Sequence, residues 1–241
     1  MRLNNIVIAT SLVWLLISFW NRNEIPGEID YVPTLQDEPR QTRTSKRPFE
    51  VEYNDVAYRV EPEYAYDITG MIVSYRHHHD ENSRMHALAK DHLNMLDVCV
   101  IWGDNPANER LQKISFWNGI FTCNVKTRDQ AAWDAFNMNQ LSNNHLLSDD
   151  DFVRRQVKKI RIGDQIRVKG YLASYTSDGG GTRGTSTTRT DKGNGACETI
   201  YIEDFEILEP ATSYWRLSMW GSLALLLLGI VVHFARPYRP H

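Results

Sequence analysis

Two uninterrupted apolar runs, one near each end of the sequence, limit what this chain can fold into. Residues 6–20 contain no charged side chain, and residues 217–235 form a second run of similar character. A bilayer core is about 30 Å thick and is crossed by about 20 apolar residues in a helix. We therefore predict one membrane-spanning helix near each end, with a domain in water between them.

The first run is predicted to be an uncleaved signal anchor over residues 1–21. A secretory signal peptide also begins with a basic residue, here Arg2, before an apolar stretch. A signal peptidase requires small residues after that stretch, whereas Phe19 and Trp20 are bulky. A cleaved signal peptide is the alternative.

The second run is predicted to be a membrane-spanning helix over residues 214–235, followed by a cytoplasmic tail over residues 236–241. Trp215 and Phe234 near its two ends fit the aromatic belt of a spanning helix. Arg236 and Arg239 follow it, and basic residues favour the cytoplasmic side. We expect a two-pass protein of the bacterial inner membrane, with both termini cytoplasmic and the central domain periplasmic or extracellular.

Composition excludes several classes of protein. The chain has 241 residues, of which 42% are hydrophobic and 24% charged, so it is not a wholly disordered chain. All 30 acidic residues lie between the spans, whereas four of the 27 basic residues lie outside that region. The exported part is therefore more acidic than the net charge of −3 suggests, and nucleic acid is not an expected partner.

Residues 22–48 are predicted to be a linker and residues 49–210 a mostly β domain with short helices (α+β). Four prolines interrupt the linker, which also carries a short basic stretch. In the domain, alternating or continuous apolar stretches predict strands, and a capped apolar pattern predicts a helix from Ser148. The strand segments are 49–53, 56–60, 68–75, 96–102, a bent pair over 114–125, 165–173 and 199–208.

The order of three strands, a helix and two strands resembles an OB-fold over about residues 64–209, with residues 162–164 as the turn into the fourth strand. The resemblance implies a five-stranded β-barrel that binds ligands through one face and the loops between strands 1–2 and 4–5. Arg167, Lys169 and Tyr171 share one face of the fourth strand and are candidate ligand-binding residues.

Histidines cluster between positions 77 and 92, interspersed with acidic residues. Imidazole and carboxylate groups bind transition metals, so His77, His79 and His86 are candidate ligands. The spacing matches no established metal motif. The alternative is a polar loop with no cofactor, which could respond to pH.

A second candidate site combines His145 and Asn144 with the long loop over residues 178–198. The loop is rich in glycine, serine and threonine, and Arg183, Arg189, Asp191 and Asn194 are its candidate ligand-binding residues. Loops of this length inside compact domains are usually functional or disordered. His145 is either a general base or a histidine held by hydrogen bonds.

Cys99, Cys123 and Cys197 are the cysteines of the chain. An oxidising compartment permits one disulfide among them, and Cys99–Cys123 and pairings with Cys197 are equal possibilities.

These patterns favour a membrane-anchored binding or scaffolding protein in a bacterial envelope complex, with other membrane or envelope proteins as partners. One alternative is an enzyme or metal-dependent protein that uses His145 and the loop over 178–198. The other is a binder of single-stranded nucleic acid or oligosaccharide through the barrel face.

Overall fold

The computed structural model describes residues 3–27, 29–78, 90–119, 122–188, 190 and 197–235. The chain divides into two compact units. One consists of Met1–Glu28 with Thr212–His241 and contains both apolar runs. The other, Ile29–Ala211, is the β-rich domain.

The described part of the chain forms four α-helices, and the first and last contain the apolar runs. Those two are long and apolar enough to cross a membrane, with mean hydropathies of 1.7 and 2.0. The prediction of an apolar helix near each terminus is therefore confirmed. The helices are α1 (Leu3–Asn21), α2 (Gln130–Asp134), α3 (Asp151–Val157) and α4 (Tyr214–Ala235).

Helices α1 and α4 pack against each other through small and polar residues. Asn4 Nδ2 donates a hydrogen bond of 3.1 Å to Gly229 O, and the hydroxyls of Ser18 and Ser218 lie 2.9 Å apart. The two helices are therefore antiparallel. A Cβ on Gly229 would lie 2.8 Å from Ile8 Cγ1, so glycine permits the close approach. Small residues and interhelical hydrogen bonds are what hold helices together in lipid.

Strands are the main regular structure of the second unit, which confirms a mostly β, α+β architecture. Strand β3 is the longest, with 22 residues. In chain order the described strands are β1 (Arg40–Arg43), β2 (Phe49–Tyr53), β3 (Val56–His77), β4 (Asn94–Ile101), β5 (Ile114–Asn118), β6 (Cys123–Thr127), β7 (Leu141–Leu147), β8 (Gln165–Ser177), β9 (Thr182–Arg183) and β10 (Glu198–Glu209).

The main sheet is organised around β3. Strand β3 pairs with β4, and the pairing continues from β4 to β7, β10 and β8. Strand β8 also pairs with β3. The β7–β10 pairing is parallel, whereas β3–β4, β4–β7, β10–β8 and β3–β8 are antiparallel. Strands β1, β2 and β9 extend this sheet, and β5 and β6 form a separate hairpin.

Two local features fix how these strands approach each other. Asn54 and Asp55 join β2 to β3 with φ angles of 51° and 58°, the left-handed values of a two-residue hairpin turn that Asn and Asp tolerate. A Cβ on Gly170 of β8 would lie 1.9 Å from Tyr201 O of β10. Glycine at this position therefore permits the close contact of the two strands beside the irregularity between Ile202 and Asp204.

The core of the domain is apolar and lies on one face of these strands. Alternate side chains of a strand point to opposite faces, so Leu96, Val98 and Val100 of β4 enter the core together. Helix α3 contributes Val153 and Val157 to the same core. Its N-cap is Asp150, whose carboxylate accepts from Phe152 N and Val153 N, rather than Ser148 as expected.

Residues 22–48, predicted to be a linker, contain ordered structure from residue 29 onward. Residues Pro33–Gln36 form a 3-10 turn, and β1 pairs with β3. Leu35 is only 1% exposed, and its carbonyl accepts a hydrogen bond of 2.9 Å from Gly103 N. The prolines interrupt the periodic pattern of apolar residues, but the burial of Leu35 and the pairing of β1 with β3 still give the segment a defined structure.

The strand content between residues 114 and 147 also differs from the expectation. The segment over 114–125, predicted to be a bent strand pair, does form a pair of strands, but this β5–β6 hairpin is separate from the main sheet. Residues 141–147 instead form β7, between β4 and β10 in the main sheet. Its sequence is Leu-Ser-Asn-Asn-His-Leu-Leu, and its amide residues have low strand propensity, which hides the strand from pattern analysis.

Candidate functional site

A buried carboxylate between two imidazoles is the most unusual feature of the domain. Asp97 is fully buried in β4. Its Oδ1 is hydrogen-bonded to Nδ1 of His145 and lies 2.9 Å from Nε2 of His78. Buried charges are rare unless they are paired, so this group of three is a strong candidate for a functional or specificity-determining site.

Strand register explains why these three residues meet. Asp97 is directly opposite His145 in the β4–β7 pairing. Leu96 and Val98 point into the core, so Asp97 and His145 share the opposite face of the sheet. His78 follows β3, and its backbone N donates to Met95 O at 3.1 Å, which holds it beside the start of β4.

Pairing determines the charge of this group. Burial alone would lower the pKa of His145, but hydrogen bonds to Asp97 and to Cys197 outweigh it and raise the pKa to about 9. Burial alone would raise the pKa of Asp97, but His145 and His78 hold it well below its usual range. At neutral pH His145 is therefore an imidazolium and Asp97 a carboxylate.

The same histidine links Asp97 to a thiol. Nδ1 of His145 is occupied by Asp97, which leaves Nε2 for its hydrogen bond to Cys197. Asn143 Nδ2 lies 3.3 Å from the sulfur of Cys197 and donates to it. Cys197 is half-buried, so the sulfur lies at the border between the buried pair and the surface.

Further amides extend the arrangement across the sheet. Ser74 Oγ donates to Asn118 Oδ1 at 2.5 Å, and Asn118 Nδ2 donates to Asn143 Oδ1 at 3.4 Å. A continuous set of polar contacts therefore joins β3, β4, β5 and β7 to the residue before β10. We call it the Cys197 network; its members are Ser74, His78, Asp97, Asn118, Asn143, His145 and Cys197.

The β5–β6 hairpin lies over this face of the sheet. A disulfide joins Cys99 of β4 to Cys123 of β6, with a Cα–Cα distance of 5.8 Å. Asn118 of β5 contacts both Ser74 and Asn143. Cys197 lies outside this disulfide and keeps its thiol. The hairpin thus shields most of the Cys197 network from water.

The structure does not bring Asn144 and Arg183 together with His145 as one site. Asn144 points to the opposite side of β7, where its Nδ2 donates to Ser142 Oγ at 2.8 Å. Arg183 Nη2 instead lies 3.6 Å from Asp91 Oδ2. The loop residues Arg189, Asp191 and Asn194 are outside the described residues, so their position relative to His145 stays a prediction.

Arg167, Lys169 and Tyr171 lie together on β8, and Lys169 and Tyr171 line a cleft of about 240 Å³. Their charges are matched by acidic neighbours. Arg167 makes two hydrogen bonds to Asp67, at 2.9 and 2.7 Å, and Lys169 Nζ lies 4.0 Å from Asp204. The charges around the cleft are therefore close to balanced.

Among the candidate metal ligands, His77 ends β3 and packs edge-on against Tyr75, with ring centroids 5.3 Å apart. His79 and His86 are outside the described residues. Over the residues that the structure describes, no group of three or more His, Cys, Asp or Glu side chains has the geometry to hold a metal ion. Both nitrogens of His145 are already hydrogen-bonded, so its imidazolium has no lone pair for a metal.

Sequence reasoning singled out His145 and Cys197 separately but missed Asp97, His78 and Asn143. Asp97 did carry a signal, because it is the one charged residue in the buried strand Asn94–Ile101. A charge in such a strand requires a buried partner. The identity of that partner depends on strand register, which the sequence does not display.

Comparison with protein-family models, curated proteins and solved structures finds no match to this chain.

Proposed function

We propose that this protein is a membrane-anchored binding or scaffolding protein of a bacterial envelope complex, presenting an OB-like barrel domain outside the cytoplasm. The observation that carries the proposal is a soluble-type β domain enclosed in sequence by two helices long enough to cross a membrane. Such a chain keeps one domain at the membrane surface on the side opposite its termini. The basic residues after α4 support a periplasmic domain and an inner-membrane location.

The strand pairings support the OB-like assignment. Strands β3, β4, β7, β8 and β10 correspond to strands one to five of an OB barrel, with α3 between the third and the fourth. The pairing order β3–β4–β7–β10–β8, the return of β8 to β3 and the parallel β7–β10 pair are consistent with that topology. In OB-folds the face of strands two and three binds ligands, which here is the face covered by the β5–β6 hairpin.

Because that face is covered, we place the partner surface on β1 and β8, around the cleft that Lys169 and Tyr171 line. Lys46 Nζ lies 4.3 Å from the Tyr171 ring centroid and donates to Glu203 at 2.6 Å. Paired charges beside an aromatic ring suit a protein partner better than a phosphate backbone, which requires unpaired cations. The partners are thus expected to be other membrane or envelope proteins.

Site-specific photocrosslinking in intact membranes tests the proposal. A benzophenone amino acid at Tyr171 is expected to give a discrete crosslinked protein adduct. The same probe at Arg155, which is exposed on α3, is expected to give none and serves as the matched control. Lys169→Glu is expected to reduce the Tyr171 adduct several-fold, because it replaces the cation beside Asp204 by a second carboxylate.

Equal adduct yields at Tyr171 and Arg155 would contradict the partner surface. A Tyr171 adduct that nuclease digests would instead favour the single-stranded nucleic-acid binder, and an adduct with glycan would favour the oligosaccharide binder.

A transition metal on His77, His79 and His86 stays a prediction, and metal analysis of the purified full chain tests it.

The second candidate function is an enzyme that uses His145 and the segment over residues 178–198. One specific observation favours it: Cys197, at the end of that segment, is hydrogen-bonded to His145, which is in turn hydrogen-bonded to Asp97. A nucleophile, a base and a group that orients the base are the elements of nucleophilic catalysis.

A further inference from the structure

The three side chains Cys197, His145 and Asp97 are arranged in a defined order. Asp97 holds Nδ1 of His145 and thereby directs Nε2 toward the Cys197 sulfur. Asp97 and His145 are nearly inaccessible to solvent, whereas Cys197 is half-buried. The group that must meet a reactant is thus the accessible member, and the groups that activate it are shielded from water.

We propose that Cys197, His145 and Asp97 form an acyl-transfer site in which Cys197 Sγ is the nucleophile, His145 the proton donor and acceptor, and Asp97 a positioning residue. The substrate class is a carboxylic ester or thioester. This inference rests on the second candidate function and is independent of the partner surface around Tyr171.

Hydrogen bonding supports this assignment of roles. The Cys197 sulfur receives hydrogen bonds from His145 and from Asn143 Nδ2, the latter at 3.3 Å. Because the pKa of His145 is raised to about 9, its imidazole carries a proton on both nitrogens at neutral pH. A sulfur beside an imidazolium is the environment in which cysteines act as thiolate nucleophiles.

The chemistry balances without an oxidant or reductant. The Cys197 thiolate attacks the carbonyl carbon, an S–C bond forms, and the bond from that carbon to the leaving oxygen or sulfur breaks. His145 Nε2 gives its proton to the leaving group. Water then attacks the Cys197 thioester, His145 takes one proton from it, and the C–S bond breaks to release a carboxylic acid and the thiolate.

Asn143 has a place in the same scheme. Its Nδ2 is a neutral donor beside the sulfur, and when the carbonyl is attacked an oxyanion forms on the carbon that becomes bonded to that sulfur. Its own Oδ1 accepts from Asn118 Nδ2 at 3.4 Å, which fixes the orientation of the amide. Among the described residues, Asn143 is therefore the donor best placed to stabilise the oxyanion.

Two measurements on the full chain in mild detergent test the proposal. The first is the rate of Cys197 alkylation by iodoacetamide at pH 6, compared with the same chain unfolded in urea with its disulfide intact. We expect the folded chain to react at least about tenfold faster, because the proposal places the sulfur beside a proton-carrying imidazole, the environment of a nucleophilic cysteine. Slower alkylation of the folded chain would overturn the proposal without the need for any variant.

The second measurement is acetylation by p-nitrophenyl acetate, followed by nitrophenol release and by peptide mass. A burst of one equivalent of nitrophenol, slower continued release and an acetyl group on Cys197 in a sample quenched with acid at the end of the burst are expected, with at least a tenfold lower burst rate in His145→Gln. An equal rate in that variant, or no acetyl group on Cys197, would overturn the proposal. The Lys158→Gln variant, changed at the exposed residue that follows α3, is the control and keeps the parental rate.

The amount of nitrophenol released beyond one equivalent per chain distinguishes the nucleophile assignment from the enzyme function on which it rests. Continued turnover supports both. A burst that stops at one equivalent supports the nucleophile and removes support from the enzyme function, because hydrolysis of the acyl group is then absent.

Discussion

Asp97→Asn is expected to lower the free energy of unfolding of the β-rich domain by about 3–5 kcal/mol, the cost of removing one partner from a buried ion pair. The substitution keeps the shape of the side chain but removes its charge. Among the described residues, none donates a hydrogen bond to Asp97 Oδ2, so an amide nitrogen at that atom breaks no existing bond. The loss therefore reports on the charge that faces His145 and His78.

Thermal unfolding of the full chain in mild detergent, followed by near-UV circular dichroism, measures this effect. For a domain of this size the loss corresponds to a decrease in Tm of about 10 °C. Asp204→Asn is the control, because Asp204 is exposed and lies 4.0 Å from Lys169, and a change of less than about 0.5 kcal/mol is expected. A change equally small in Asp97→Asn would contradict the buried pair.

A double variant separates lost charge from lost packing. In Asp97→Leu/His145→Leu both charged partners become apolar side chains, and such replacements of buried pairs are often neutral or stabilising. We expect it to recover most of the stability that Asp97→Asn loses. If it is as unstable as Asp97→Asn, the stability of this region depends on the shape of the Cys197 network rather than on charge.

The terminal helices and the long strands could be predicted because each has a strong local cause. Lipid requires an uninterrupted apolar run, which α1 and α4 supply. Strand β8 alternates between core and surface, so residues such as Ile166 and Val168 indicate its period. Residues 29–48 lacked such a pattern, since their order depends on partners distant in sequence, such as Gly103 for Leu35.

The candidate site was predictable only in part, because its residues come together through the pairing of strands that are distant in sequence. Strand β7 carries amides on both faces, so it lacks the apolar alternation that reveals a strand. If β7 is not recognised as a strand, its register against β4 is unknown, and the position of His145 opposite Asp97 cannot be derived. The contact of His145 with Cys197 depends further on the parallel pairing of β7 with β10, which spans about 50 residues of sequence.

The stability of the domain is expected to decrease as pH rises from about 6.5 to 9. The pKa of His145 is about 9 in the folded chain, above its ordinary value of 6.5, so its pairing stabilises the fold fully below pH 6.5 and is lost as pH rises through 9. A shift of this size corresponds to about 3 kcal/mol. Asp97 has a lowered pKa, so its contribution is present above its ordinary 3.8 and is lost only in acid.

Both shifts describe one contact, so their contributions are not added, and the maximum Tm is expected between about pH 4 and 6.5. Tyr175 and Tyr201 have raised pKa values through burial and acidic neighbours, but they affect stability only above pH 10. A Tm series at pH 5.5, 7 and 9 is expected to decrease by about 6–12 °C over the range. Asp97→Asn should flatten the slope and Asp204→Asn should keep it, since only the first substitution removes the carboxylate that raises the pKa of His145. An unchanged slope in Asp97→Asn would assign the pH dependence to other groups.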